Sequence, residues 1–108
     1  MTSISIVIPV YNADSTILNT LKSIIPEKKL INEIIIVNDG STDKSIEIIN
    51  HFFKNNLINI KKKIINHQKS IGLSNSYNDG IRHSTSDLVI TLHSDIILKK
   101  NAILLLTS

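Results

Sequence analysis

The sequence contains no cysteine, which excludes a disulfide framework and any thiolate-held metal site. Aromatic residues are scarce. Two phenylalanines and two tyrosines offer few platforms for stacked bases, so a net charge of +3 and an isoelectric point near 9.3 do not read as a nucleic-acid surface. Much of the excess lies in Lys61-Lys62-Lys63 and Lys99-Lys100, and lysine runs of this kind mark a solvated face. No apolar run is long enough to span a bilayer. Met1-Thr2-Ser3 leads directly into an apolar stretch, without the basic start of a signal peptide, from which a soluble, cytoplasmic protein is expected. Repeats, linkers and low-complexity segments are also missing, so residues 1–108 read as one domain.

What the chain does have is apolar content of 42% and a mean hydropathy of +0.13, enough to build a core. The most informative stretch is Glu33-Ile34-Ile35-Ile36-Val37-Asn38-Asp39-Gly40-Ser41-Thr42-Asp43. A continuous Ile/Val run reads as a strand buried on both faces of a parallel sheet. Its polar tail then falls at the C-terminal edge of that sheet, where open α/β folds bind ligands.

The rest of the chain alternates strand and helix patterns, which predicts an α/β fold with a mostly parallel sheet of about four strands and three to four helices. Ile4 to Ile8 reads as the first strand, stopped at Pro9, and Asp14 or Ser15 as the cap of a helix that ends at Pro26. After the strand from Glu33 to Asn38, Ser41 or Thr42 is placed to cap a second helix carrying Ile46, Ile48, Ile49, Phe52 and Phe53, with Asp43 in its first turn. Ile58 to Asn66 reads as a lysine-rich strand near an edge, Ser74 to His83 as a third helix, Leu88 to Leu92 as the last strand, and Ile96 to Ser108 as a link into a further helix.

Polar clusters follow three strands: Pro9-Val10-Tyr11-Asn12, Asn38-Asp39-Gly40-Ser41 and His93-Ser94-Asp95. In a parallel sheet these ends share one edge. A single aspartate there would read as a cap; three converging clusters read as a site. A phospho-acceptor receiver domain would need an acidic pair after the first strand, and a dinucleotide-binding Rossmann domain a G-x-G-x-x-G; neither is present. A nucleotidyltransferase would want a glycine- and basic-rich loop at the same point, also absent.

In order and spacing, Ile6-Val7-Ile8-Pro9-Val10-Tyr11-Asn12, Ile36-Val37-Asn38-Asp39-Gly40-Ser41-Thr42-Asp43, Gly72-Leu73 with Tyr77-Asn78-Asp79-Gly80-Ile81, and Leu92-His93-Ser94-Asp95 resemble the family 2 glycosyltransferases of GT-A fold. The resemblance implies a Rossmann-like α/β/α sandwich, cut before the acceptor-binding half, that takes a UDP- or dTDP-sugar for inverting transfer. It implies Pro9 and Tyr11 in the nucleobase pocket and Asp39 as acceptor of a base hydrogen bond. Gly72, and the helix holding Asn78 and Gly80, would close over ribose and diphosphate, with Ser94 beside them. His93-Ser94-Asp95 stands where the family has Asp-x-Asp, which makes Asp95 the expected ligand of Mn²⁺ or Mg²⁺. His93 is either a second ligand or a strand-end histidine bonded to backbone.

The other histidines, His51, His67 and His83, match no metal-ligand spacing. The resemblance brings His67-Gln68-Lys69, in the loop before Gly72, near the donor; Lys69 itself reads as solvated and Asp79 as a helix-surface carboxylate. No residue matches the family's general base, which lies downstream of the Asp-x-Asp segment, so no catalytic residue is assigned. The resemblance implies polysaccharide or glycoconjugate synthesis at the inner face of the cell membrane, with the acceptor glycan or lipid-linked sugar held by the missing half. The alternative is a nucleotide-binding or interaction module of the same fold without turnover. The apolar stretch Asn101 to Ser108 would need a partner surface, which a homodimer would supply.

Overall fold

Four isoleucine- and valine-bearing runs form one parallel sheet in the computed structural model, which describes residues 2–107. The strands are β1 (Ile4–Val10), β2 (Glu33–Asn38), β3 (Lys61–Asn66) and β4 (Leu88–Thr91), in the order β3-β2-β1-β4. Four helices connect or follow them: α1 (Ile17–Ile24), α2 (Ser45–Asn55), α3 (Leu73–His83) and α4 (Ala102–Thr107). A 3₁₀ segment, Ile25–Leu30, continues α1. The expected α/β architecture is therefore the observed one. Ser108, to which the last helix was expected to run, and Met1, in the expected N-terminal lead, lie outside the described residues.

β1 and β2 occupy the middle of the sheet, and every residue in them is buried. Alternate side chains feed two cores. Ile4, Ile6, Ile8 and Val10 with Ile34 and Ile36 pack under α1 and α2, against Ile17, Leu21, Ile24, Ile49 and Phe52. Val7, Ile35 and Val37 form the opposite face with Tyr77 of α3. Each fully buried Ile or Val side chain stabilises the fold by about 1.5–3 kcal/mol relative to exposure, so a continuous apolar run suits this central position and no other. α3 lies close on its face because of Gly80: a Cβ there would sit 2.3 Å from Val7 Cγ1 and 3.0 Å from Val37 Cγ2.

Several boundaries differ from expectation, each for a local reason. Pro9 does not stop β1, which pairs Pro9 with Val37. The residues of β1 alternate between its neighbours: Ile4 and Val10 carbonyls accept from the β2 side, Ser3 and Val7 carbonyls from the β4 side. Pro9 shares the parity of Val7, and Leu92 donates the last bond from the β4 side to Val7. The missing proline N–H thus costs no ladder bond. The α-helix ends at Ile24, just before Pro26 as expected, and Pro26 sits in the first turn of the 3₁₀ segment that follows. β3 starts at Lys61 rather than Ile58, because Leu57 adopts φ +58° and Ile60 turns back to its carbonyl.

Neither Ser41 nor Thr42 caps α2. The N-cap position is Lys44, and Asp43 just before it closes the turn, its Oδ1 accepting from Ser45 N at 2.9 Å and Ser45 Oγ at 2.6 Å. Asp14 and Ser15 do not cap α1, which starts on a turn to the Ala13 carbonyl. β3 is an edge strand as expected, and its lysines are engaged. Lys63 reaches Glu33 at 3.2 Å and Lys61 at 3.9 Å, while Lys62 lies 5.5 Å from the Phe53 ring centroid. Glu33 is buried at the far end of the sheet from the ligand edge. Burial raises its pKa, but donors from Ser5, Thr85 and Lys63 outweigh this and leave it lowered.

Candidate functional site

Parallel pairing sets Val10 opposite Asn38 and Asn38 opposite Asn66. The residues just past these positions, Tyr11, Asp39 and His67, therefore emerge side by side at one edge. Leu92 N joins Val7 O and brings His93 and Ser94 to the same edge from β4. Pro9, Tyr11, Asp39, Gly72, Ser94 and His93, all expected in the site, line one cleft of about 260 Å³ with Ser70, Leu73 and Ser76.

Asp39 is 4% exposed and its carboxylate is fully engaged by the loop between β3 and α3. Oδ1 accepts from His67 Nδ1 at 2.9 Å and Ile71 N at 2.8 Å. Oδ2 accepts from Ser70 Oγ at 2.7 Å and Gly72 N at 3.1 Å. A carboxylate offers about four lone-pair positions, and four donors take them. Burial by itself would raise the Asp39 pKa; the donors more than offset it and hold it at about 2. In this arrangement Asp39 organises a loop, and a base could reach its oxygens only by displacing one of these donors.

The loop needs glycine on both sides. Gly40 has φ +77°, and a Cβ on it would lie 2.9 Å from Ser70 N. Gly72 has φ +95° and precedes α3 without side-chain capping of the helix's first turn. The β1–α1 and β2–α2 loops are joined in turn. Asn12 N donates to Ser41 Oγ, Thr42 N to Asn12 Oδ1, Ala13 N to Ser45 Oγ and Asp14 N to Asp43 Oδ2.

His67 lies in the segment that the resemblance brings near the donor, but its bridging position between two carboxylates was not foreseen. Its Nδ1 faces Asp39 and its Nε2 lies 2.7 Å from Asp79 Oδ2. Both ring nitrogens can donate only in the imidazolium. The hydrogen bonds to Asp79 and then Asp39 raise the His67 pKa against opposing desolvation. Asp79, expected on the helix surface, is instead held by this imidazolium. Its pKa is lowered first by His67, against burial, and then by Arg82 and His83. The signal was register: His67 follows the partner of Asn38 just as Asp39 follows Asn38.

Asn78 is not brought to the cleft. It is exposed on α3, two residues from Ser76 and hence on the far side of the helix. Gly80, on the helix expected to close over ribose and diphosphate, lets helix and sheet approach. Tyr11 is 57% exposed at the cleft mouth. The Ser94 carbonyl is anchored by Thr16 Oγ1 at 3.0 Å and Thr20 Oγ1 at 2.9 Å. His93 Nδ1 lies 2.6 Å from Asp95 Oδ1, both side chains being exposed. Among the described residues no group of three or more His, Cys, Asp or Glu side chains is placed to hold a metal. His51, His83 and Lys69 are exposed.

The family model for glycosyl transferase family 2 matches residues 5–107. The chain belongs to glycosyltransferase family 2. Among relatives of this family 2 chain is the poly-beta-1,6-N-acetyl-D-glucosamine synthase of Staphylococcus epidermidis, 33% identical over 99 residues, which are 92% of this chain and 23% of that protein. The chain thus spans about a quarter of the length of the curated relatives it matches. Two solved structures share the GT-A fold. S. aureus TarS 1–349 in complex with UDP-GlcNAc has a TM-score of 0.83 and 20% identity, over 97% of this chain and 30% of that one. Glucosyl-3-phosphoglycerate synthase from Mycobacterium tuberculosis, in complex with Mn²⁺, UDP and glucosyl-3-phosphoglycerate, has a TM-score of 0.76 and 21% identity, over 94% and 37%. No helix among the described residues of the family 2 domain is long and apolar enough to cross a membrane.

Proposed function

We propose that residues 1–108 are the donor-binding half of an inverting glycosyltransferase that takes a UDP- or dTDP-sugar. The observation that carries this reading is the cleft at the C-terminal edge of the sheet, where Pro9, Tyr11, Gly72 and Ser94 meet around the loop fastened by Asp39. Pro9 and Tyr11 supply apolar and aromatic surface for a base, and Asp39 holds the wall against which it rests. The uncapped first turn of α3 presents backbone N–H groups suited to phosphate. UDP or a UDP-sugar in related structures supports the choice of nucleotide.

The donor set at His93 and Asp95 fits a hard cation whose remaining ligands are phosphate oxygens. Asp95 would hold it by carboxylate; His93 suits Mn²⁺ better than Mg²⁺. Such a cation, when bound, offsets charge on the diphosphate leaving group. Mn²⁺ in a neighbouring structure supports this. We place the acceptor, a glycan or lipid-linked sugar of a surface polysaccharide, in a further half, with the work done at the inner face of the cell membrane.

The test is calorimetry with UDP, with and without Mn²⁺, beside an assay of sugar transfer. Wild type should bind, and Asp95→Ala should lose the Mn²⁺ dependence while keeping most metal-free affinity. Binding of no nucleotide in either condition would refute the donor site. One observation favours a binding module without turnover: Asp39 is the sole acid lining the cleft among the described residues, and its lone pairs are taken. Binding with neither transfer nor donor hydrolysis would select that reading. Exposed Ile97, Leu104 and Leu106 further support a homodimer through the C-terminal apolar surface, and sedimentation showing monomer at high concentration would rule it out.

A further inference from the structure

Ser76 is 1% exposed, and its Oγ is the buried side-chain polar atom left without a hydrogen-bond partner among the described residues. Such orphans are uncommon in folded proteins. A serine within a helix usually has a local remedy, the carbonyl one turn back. Here the Gly72 carbonyl accepts from Ser76 N at 3.0 Å, and the hydroxyl does not use it. Instead Ser76 lines the cleft with Pro9, Tyr11 and Asp39.

Its position follows from the packing of α3. Gly80 is seated on Val7 and Val37. One helical turn toward the N-terminus lies Ser76, a step of about 5.4 Å. Two residues along the strands lie Pro9 and Asp39, a step of about 6.6 Å. Helix and sheet therefore bring Ser76 over the end of the strands, at the inner wall of the cleft. Asp39, the obvious polar group there, has its four lone-pair positions occupied by the loop.

We infer that the Ser76 hydroxyl is a ligand-binding group of this cleft and exchanges a hydrogen bond with the nucleoside moiety of a bound nucleotide. The inference rests on the donor-site reading above and adds the residue that meets the ligand. A hydroxyl both donates and accepts, so it can satisfy a base carbonyl, an imide N–H or a ribose hydroxyl. The saturated carboxylate of Asp39 can do none of these as it stands.

The experiment compares wild type and Ser76→Ala with Mn²⁺ present, titrating UDP by calorimetry and uridine by NMR. Loss of one neutral hydrogen bond should weaken UDP by about three- to tenfold, and uridine by the same factor. The free variant should melt at the same temperature as wild type or higher, because the substitution deletes an unsatisfied buried hydroxyl. Equal UDP affinity in the two proteins would overturn the assignment. So would a loss seen with UDP but not uridine, which would move the contact to phosphate, or a fall in melting temperature accompanying the weaker binding, which would mark a structural role. Failure of wild type to bind either ligand would instead overturn the donor site, and Ser76 with it.

Discussion

Asp39→Ala should abolish measurable UDP binding and destabilise the protein by about 3–5 kcal/mol, the usual cost of removing one partner of a buried ion pair. The substitution strands four donors at once: His67 Nδ1, Ser70 Oγ, Ile71 N and Gly72 N. It also leaves the His67 imidazolium with one carboxylate instead of two. The buried strands β1 and β2 lose nothing, so the damage falls on the loop that walls the cleft. Urea denaturation and calorimetry with UDP measure the two effects, and unchanged UDP affinity would refute the role given to this residue. The wild-type pH dependence carries the same information. The Asp39 pKa falls from 3.8 to about 2, so its contribution is present above about pH 4 and is lost as pH falls through about 2. A shift of this size corresponds to about 2 kcal/mol.

The second large effect concerns His67, and it runs in the opposite sense. Its folded pKa is raised, so the stabilisation is full below the unfolded value of about 6.5 and is lost as pH rises through the folded value. Wild type should therefore lose melting temperature on the alkaline side of pH 6.5, while His67→Gln should be flat across that window. Below pH 6.5 the variant should be less stable by about 3 kcal/mol, since Asp39 and Asp79 would then share no cation. The charged groups facing His67 are Asp39 after β2 and Asp79 on α3, with Arg82 and His83 beyond Asp79. His83→Gln is the control for the second imidazole beside Asp79. Parallel slopes for wild type and His67→Gln would dismiss the charged bridge. Combining Asp39→Ala with His67→Gln should cost less than the two separately, because both break one network.

Which of these features the amino-acid string discloses depends on how local their causes are. The unbroken Ile34-Ile35-Ile36-Val37 run announces a strand covered on both faces, and parallel topology then carries Tyr11, Asp39 and Ser94 to one edge. Pro9 misleads because its effect depends on parity against a neighbouring strand, and β4 ends before that parity matters. The α2 cap misleads because Ser41 and Thr42 are drawn into bonds with Asn12, leaving Asp43 to accept from the helix. His67 is hidden for a related reason: a histidine after a lysine-rich edge strand looks unremarkable until Asn66 is set opposite Asn38. Asn78 could have been ruled out of the cleft by helical phase alone, once Ser76 or Gly80 was known to face the sheet.

The bonds joining the first two strand-end loops bear on any attempt to re-engineer the domain. Asn12, Ala13 and Asp14 give their backbone N–H groups to side chains of Ser41, Ser45 and Asp43, and Asn12 receives Thr42 N in return. Neither loop carries its own complement of acceptors; each is finished by the other. A donor-site graft that moved residues 10–16 without residues 38–45 would arrive with its amides unmatched. For design, the portable module is the pair.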